Sequence, residues 1–274
     1  MINRCTLNCS SRCGDIWCLG PTIQPTLKML LPRNLLVLLA VLLSPALSLP
    51  LDRQALIHDD ATAEEYFEIP SRYTSTLLAR RLLALSPTGV LSTIFPPSNK
   101  SSSTEPHPLS SPPSSVASTP IALPDYLAEC EDTGNPTLLA LSVSTSTRNA
   151  VAGSNVSLSI SWWDTYSRLT HRDPWSAANL PRASLIGYLE RMSEKDIESN
   201  DIVACYTGVH RDSRLWLPGD SKAAHQGVWM RMIVQEVYWI GGFGDRNYIG
   251  WFDPEEWRDI RRKDWEEVRL PGEK

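Results

Sequence analysis

The sequence predicts a mainly β fold of the α+β type, built on an antiparallel sheet or barrel. Strand-like segments follow one another with only two or three helical segments between them, whereas a doubly wound parallel sheet needs a helix after nearly every strand. The clearest strand, residues 156–162 (VSLSISW), alternates apolar and polar side chains throughout. Residues 241–244, which contain three glycines, join two further strand-like segments as a hairpin turn.

The composition leaves room for one substantial core in the chain of 274 residues. We divide it into a leader (1–48), a polar N-terminal arm (49–72), a folded domain (73–263) and a C-terminal tail (264–274). Without the leader and a Ser/Pro-rich insertion, about 170 residues remain, which is the size of a single domain. The net charge of −5 argues against nucleic-acid binding, which would need a basic face.

The leader has the features of a secretory signal peptide. The apolar run 35–43 (LLVLLAVLL) follows Lys28 and Arg33, and small residues at Ala46 and Ser48 suit cleavage after Ser48. The run is shorter than the roughly 20 residues that span a membrane, so no span is expected after cleavage. An uncleaved anchor and a buried helix are the alternatives.

Six cysteines fall into two groups. Met29 starts a more ordinary leader, so residues 1–28 need not be translated. The cysteines ahead of it lack the C-x₂-C spacing typical of zinc sites, and we expect no metal site. Cys130 and Cys205 remain in the processed chain and either pair in an oxidising compartment or stay as thiols. The upstream cysteines are Cys5, Cys9, Cys13 and Cys18.

The domain opens with a helical pattern from Tyr73, stopped by Pro87 and Gly89. Arg80 and Arg81 lie off its apolar face, so we expect both to be solvated, like residues 261–263 later in the chain. The apolar face consists of Leu78, Leu82 and Leu85.

A strand at residues 90–95 precedes the Ser/Pro-rich insertion 96–120. This composition cannot bury apolar surface, so the insertion is predicted to be a disordered loop. Asn99 begins an N-glycosylation motif within it, and Asn155 begins a second one at the mouth of the strand 156–162.

The following elements are predicted in chain order. Residues 137–143 form a strand, and residues 145–151 form one or two helical turns. After the strand 156–162, residues 164–181 are an irregular loop. The remaining segments are a strand at 183–191, a helix at 197–210, a long strand at 228–240 and its hairpin partner at 248–252. Asp253 and Glu256 suit the N-cap and the capping-box position of a final helix.

Three segments resemble CREG-type proteins. Residues 78–94 (LARRLLALSPTGVLSTI) resemble their opening helix and first strand. Residues 130–162 resemble the central part, where an Asn-Pro turn precedes a strand, a short helix and another strand. Residues 234–257 resemble the closing aromatic strand, Gly-bearing turn and Pro-Glu-Glu helix start. The insertion and the Trp-rich loops around Trp175 and Trp216 indicate a fungal-type member.

The resemblance implies a six-stranded antiparallel split β-barrel with peripheral helices, related to pyridoxamine 5′-phosphate oxidases. It also implies a homodimer with the cofactor groove of the oxidases at its interface, N-glycans, and a secreted or vacuolar-lysosomal location. CREG proteins are taken to have lost flavin binding and oxidase activity, and to act as secreted regulators or ligands. A protein or glycan is therefore the expected partner, and we expect no catalytic residue.

One segment keeps an FMN-dependent oxidoreductase open as the alternative. The oxidases hold the FMN phosphate near a strand-to-helix junction, and Ser146, Thr147 and Arg148 lie at such a junction here. In the competing interpretation the hydroxyls cap the helix and Arg148 is solvated. Neither the strand 90–95 nor the strand 137–143 contains Lys or Arg, which counts against FMN.

Overall fold

The computed structural model describes residues 68–97, 112–219, 221, 225 and 227–274. The predicted signal peptide, the first four cysteines and Asn99 lie outside the described residues. Among the described residues, no helix is long and apolar enough to cross a membrane.

Seven strands form one antiparallel sheet in the order β2-β1-β4-β5-β6-β3, with β7 added beside β6. The strands predicted at 156–162 and 183–191 become β4 and β5, which pair along most of their length. The strands are β1 (Thr88–Ile94), β2 (Pro120–Tyr126), β3 (Thr137–Leu141), β4 (Val156–Ser161), β5 (Arg182–Arg191), β6 (Gly227–Ile240) and β7 (Ile249–Trp251).

The two edge strands of the six-strand path meet at a single bridge. Ala128, just after β2, donates to the carbonyl oxygen of Thr137 in β3 at 3.1 Å, and Thr137 donates back at 2.8 Å. The path therefore curls round until its edges touch at one end, while β2 and β3 themselves do not pair. This confirms the predicted six-stranded antiparallel split barrel with peripheral helices.

A register shift in the β5–β6 pair lies between Ile186 and Gly187. A Cβ atom built on Gly187 would lie 1.8 Å from the carbonyl oxygen of Ile233 on β6. The two backbones are therefore too close for any side chain, and the glycine permits the bulge that bends the two longest strands.

Seven α-helices lie around the sheet among the described residues. Asp253 caps α6 as predicted, accepting from the backbone N–H groups of Glu255 and Glu256. Glu256, predicted for a capping box, instead accepts from the Thr76 hydroxyl at 2.6 Å and so ties α6 to α1. The helices are α1 (Arg72–Leu85), α2 (Thr145–Val151), α3 (Trp163–Thr170), α4 (Glu194–Ser199), α5 (Ile202–Val209), α6 (Pro254–Asp259) and α7 (Arg262–Trp265).

Two of the predicted segments have a different secondary structure from the one expected. The segment 164–181, predicted to be irregular, contains α3 and a 3₁₀ turn at Ala177–Asn179. The predicted helix 197–210 is divided into α4 and α5 at Asp201, whose φ of 48° lies in the left-handed region. An α-helix cannot pass through that conformation, so the chain changes direction there.

The C-terminal end of the insertion 96–120, which was predicted to be disordered, contains regular structure. Residues 112–120 are described and contain a 3₁₀ turn at Ser114–Val116, and Pro120 already belongs to β2. Strand β2 was missed because Pro120 and Pro124 argue against a strand interior. At the sheet edge both are tolerated, because one side of an edge strand needs no ladder donor.

The segment 264–274, predicted to be a tail, packs onto the domain. Trp265 and Leu270 are buried, and Glu273 pairs with Arg81 of α1 at 2.6 Å. The Nε1–H of Trp162, at the end of β4, donates to the carbonyl oxygen of Pro271 at 2.8 Å. Trp162 belongs to the main core cluster with Trp239 and Trp257, so these three tryptophans are core residues.

Candidate functional site

The junction between β3 and α2 brings the three predicted phosphate-site residues onto one helical turn. Ser144 caps α2 by accepting from the backbone N–H of Thr147 at 3.2 Å. The hydroxyls of Ser144 and Thr147 also lie 2.7 Å apart and hydrogen-bond to each other. Ser146 and Thr147 are only 3% and 6% exposed, whereas Arg148 is exposed. The hydroxyls of Ser144 and Thr147 therefore serve the helix cap.

A cavity of about 100 Å³ opens beside this junction. It is bounded by the end of β2, by β3, by α5 and by the 3₁₀ turn Arg211–Trp216. The sequence predicted none of the lining residues as site residues, because they come from segments far apart in sequence. Only Ser144 lies next to the predicted residues Ser146, Thr147 and Arg148. The lining residues are Asp125, Tyr126, Leu139, Leu141, Ser144, Tyr206 and Trp216.

Aromatic rings build one wall of this cavity. The ring of Tyr126 stacks on His210 with centroids 4.3 Å apart, and Tyr206 packs against His210 at 4.9 Å. His210 Nε2 lies 2.9 Å from the carbonyl oxygen of Leu127, which can only accept, so this nitrogen carries the proton. These contacts fix the rings and leave little freedom to reshape the cavity.

Asp125 is the carboxyl group among the described residues that line this cavity. Burial raises the pKa of the Asp125 carboxyl, and the hydrogen bond from the backbone N–H of Tyr126 opposes this rise. The hydrogen bond from the Tyr126 hydroxyl to Asp212 raises the pKa of that phenol, and burial raises the pKa of Tyr206. Both phenols therefore stay protonated at neutral pH and act as neutral polar groups beside a carboxyl group.

The junction does not fit a flavin phosphate. A phosphate placed beside Ser144 would meet the Asp125 carboxylate, which repels it. The Thr147 hydroxyl already bonds to Ser144, and Ser146 is almost completely buried.

A disulfide holds the aromatic wall in place. Cys130, in the segment between β2 and β3, is bonded to Cys205 of α5, with Sγ atoms 2.09 Å apart and Cα atoms 5.8 Å apart. The pairing that the sequence left open is therefore made in the structure. It fixes Tyr206, the next residue in α5, against the sheet edge.

Arg80 is fully buried, contrary to the solvated position predicted for it. Its Nη1 donates to the carbonyl oxygens of Trp257 and Ile260 at 2.9 and 2.6 Å, and its Nη2 donates to Glu129 at 2.6 Å. Both side chains of the pair are almost inaccessible, at 0% and 3% exposed. The spacing from Thr76 to Arg80, one helical turn on the buried face, is the signal that sequence reasoning missed.

No set of three His, Cys, Asp or Glu side chains is placed to hold a metal ion among the residues that the structure describes. Asn155, the second predicted glycosylation site, is exposed just before β4. The first, Asn99, lies outside the described residues.

A model of the family described as CREG, beta-barrel, matches residues 70–259. The chain belongs to the CREG family. The match begins just ahead of α1 and ends with α6, so it includes all seven strands described above. No curated protein matches the chain.

Several solved structures are similar to this CREG protein. A heme binding protein from Mycobacterium smegmatis is 16% identical over 70% of this chain and 61% of that chain, with a TM-score of 0.48. A protein of unknown function from Agrobacterium tumefaciens is 19% identical over 70% and 63%, with a TM-score of 0.45. The heme storage protein HutZ from Vibrio cholerae is 11% identical over 62% and 96%, with a TM-score of 0.39. The chain thus spans less than two thirds of the first two structures.

Proposed function

We propose that this CREG protein is a secreted, glycosylated and non-catalytic protein that acts by binding a protein or glycan partner. One observation carries the proposal. At the junction where an oxidase would hold the flavin phosphate, the hydroxyls of Ser144 and Thr147 cap α2, and Asp125 lines the adjoining cavity. A carboxyl group at this position favours a neutral or cationic neighbour over a phosphate.

Three features support passage through the secretory pathway. The leader has the pattern of a signal peptide. The disulfide between Cys130 and Cys205 suits an oxidising compartment. Asn155 is exposed, as a glycan-bearing asparagine must be.

The proposed active form is a homodimer. At the edge of the sheet, β1 and β2 expose the apolar side chains of Val90, Ile94 and Leu123, each more than two fifths accessible. Exposed apolar side chains on neighbouring strands are typical of surfaces that a partner covers. A second copy of the chain is the partner that the family resemblance indicates.

The second candidate, an FMN-dependent oxidoreductase, is tested by titrating the purified, secreted full chain with FMN. We expect no stoichiometric quenching of flavin fluorescence and no flavin absorbance after gel filtration. The Arg148→Gln variant should behave like the wild type, because Arg148 is not expected to hold a phosphate. Saturation at one FMN per chain would overturn the non-catalytic proposal, and its loss in Arg148→Gln would assign the phosphate to this junction.

A further inference from the structure

The cavity beside the junction of β3 and α2 combines a carboxyl group with aromatic rings. Asp125, Tyr126 and Trp216 line it, and each of these residues is partly accessible to solvent. Tyr206 also lines the cavity and is almost completely buried, so it lies on the inner side. Aromatic rings beside a carboxylate form a set of groups suited to organic cations, because both attract positive charge.

The Asp125 carboxylate keeps the capacity to accept from a ligand. Its Oδ1 accepts from the backbone N–H of Tyr126 at 2.9 Å. A carboxylate offers about four acceptor positions on its two oxygens, so this bond leaves most of them for other groups. Burial raises the pKa of the Asp125 carboxyl, which means that folding takes the group partly out of water. A cation in the cavity would compensate the carboxylate for the lost hydration.

The rings are held in position without a ligand. His210 stacks on the Tyr126 ring with an interplanar angle of 6°, and Tyr126 is still 37% exposed. The Tyr126 hydroxyl donates to Asp212 at 3.0 Å. Trp216 packs against the buried cluster that contains Tyr206. Because these side chains are already ordered, binding costs little side-chain entropy.

A second carboxylate adds negative charge near the rings. Burial is the main reason that the pKa of the Tyr206 phenol is raised, and the charges of Asp125 and Asp212 raise it further. Both carboxylates therefore act on this ring. No Lys or Arg is among the described residues that line the cavity. The cavity thus favours a positive ligand over a negative one.

The apolar lining residues select the kind of cation. Leu139 and Leu141 offer only hydrocarbon contacts, whereas a metal ion needs several oxygen, nitrogen or sulfur ligands. In the part of the chain that the structure describes, no group of three His, Cys, Asp or Glu side chains could hold a metal ion. Methyl groups on a quaternary nitrogen suit both the leucine side chains and the ring faces.

We propose that this cavity binds a small quaternary ammonium compound. The charged nitrogen lies near the Asp125 carboxylate, and its methyl groups pack against Tyr126, Trp216 and Leu141. The inference names a ligand class for the site of the proposed function. It rests on that function in one respect, namely that no flavin phosphate occupies the junction.

Isothermal titration calorimetry of the secreted full chain tests the site, with choline chloride as the probe and 3,3-dimethyl-1-butanol as its neutral isostere. We expect saturable binding of choline at one site per chain. The alcohol should bind about 10-fold more weakly or worse, because it has the same shape but no charge for the carboxylate and the rings to attract. Ammonium chloride, which lacks the methyl groups, should also bind about 10-fold more weakly or worse.

Two variants test the lining residues. Asp125→Asn keeps an acceptor for the Tyr126 N–H and should weaken choline binding by about 10- to 100-fold, with little effect on the alcohol. Trp216→Leu should weaken choline binding by about 3- to 30-fold, because a ring face is lost. Asp125→Asn alters a half-exposed side chain and keeps the test valid if Trp216→Leu fails to fold.

Two matched variants serve as controls. Asp173→Asn removes an exposed carboxyl group, and Trp175→Leu removes a tryptophan that is 77% exposed; neither residue lines the cavity. Both variants should bind choline like the wild type. Absence of saturable choline binding, equal binding of choline and the alcohol, or equal loss in the control variants would each overturn the inference.

The FMN titration described above, run on the same preparation, separates the two proposals. Saturation by FMN would overturn the proposed function. Failure of choline to bind a chain that also fails to bind FMN would overturn only the assignment of the ammonium ligand.

Discussion

The guanidinium group of Arg80 is the most completely buried charge described in the domain. It joins α1 to α6 through backbone carbonyls and to the β2–β3 connection through Glu129. A buried pair of this kind gives little net stability compared with an apolar pair, but removal of one partner leaves the other charge buried and uncompensated.

We therefore expect Arg80→Met to lower the free energy of unfolding by about 3–5 kcal/mol. The measurement is urea denaturation followed by circular dichroism. Arg72→Met is the matched control on the same helix, because Arg72 is 45% exposed and its ion pair should contribute at most about 1 kcal/mol. Equal losses of unfolding free energy in the two variants would show that the buried Arg80 pair stabilises the domain no more than the exposed Arg72 pair.

Asp125 gives a prediction about pH. Its pKa is raised on folding, so its favourable contribution is complete below the unfolded pKa of about 3.9 and is lost as the pH rises through the folded value. Asp125→Asn, which keeps an acceptor for the Tyr126 N–H, should thus raise the melting temperature at neutral pH. The gain should shrink toward zero below about pH 4.

The control for this measurement is Asp173→Asn, in an exposed loop. It should leave the melting temperature nearly unchanged across the same pH range. A neutral-pH melting temperature of Asp125→Asn at or below that of the wild type would contradict the assignment of Asp125 as a desolvated carboxyl group.

At the scale of elements, the contact between β5 and β6 at Gly187 leaves no room for a methyl group. Gly187→Ala should destabilise the domain by about 3 kcal/mol or more, or prevent folding, because the backbones must separate. Gly208→Ala is the control, since nothing lies within 4 Å of its Cβ position in α5. That variant should be as stable as the wild type or slightly more stable, by about 0.5–1 kcal/mol. Thermal unfolding of both variants distinguishes these outcomes.

Some strands could be predicted from their own residues, and others could not. Strand β4 could be predicted because a pleated strand with one buried face imposes alternation on its own residues. Strand β2 could not, because its two prolines are acceptable only at an edge, and edge position depends on the whole sheet.

The candidate site was predictable only in part, for a related reason. The junction at Ser144 could be found from local cap residues. The Asp125 carboxyl and the Tyr206 ring reach it from β2 and α5, and only the folded barrel places them there.

At the scale of the whole molecule, the bond between Cys130 and Cys205 closes a loop spanning a sequence separation of 75 residues. In the chain-entropy model, a loop of this length stabilises the folded state by about 4 kcal/mol. The double variant Cys130→Ser/Cys205→Ser should lose most of this free energy of unfolding in urea denaturation. Added reductant should destabilise the wild type but leave the double variant unchanged, and sensitivity of the double variant would contradict this account.

The packing of residues 264–274 has a practical consequence for the domain. Glu273 forms an ion pair with Arg81, and the carbonyl oxygen of Pro271 accepts a hydrogen bond from the Trp162 indole. These contacts anchor the C-terminal segment to the domain. Proteolytic cleavage ahead of Arg269 would remove these contacts and expose the Trp162 end of the core to solvent. A recombinant protein that ends at residue 259, where the family match ends, would lack the ion pair and the hydrogen bond of this segment.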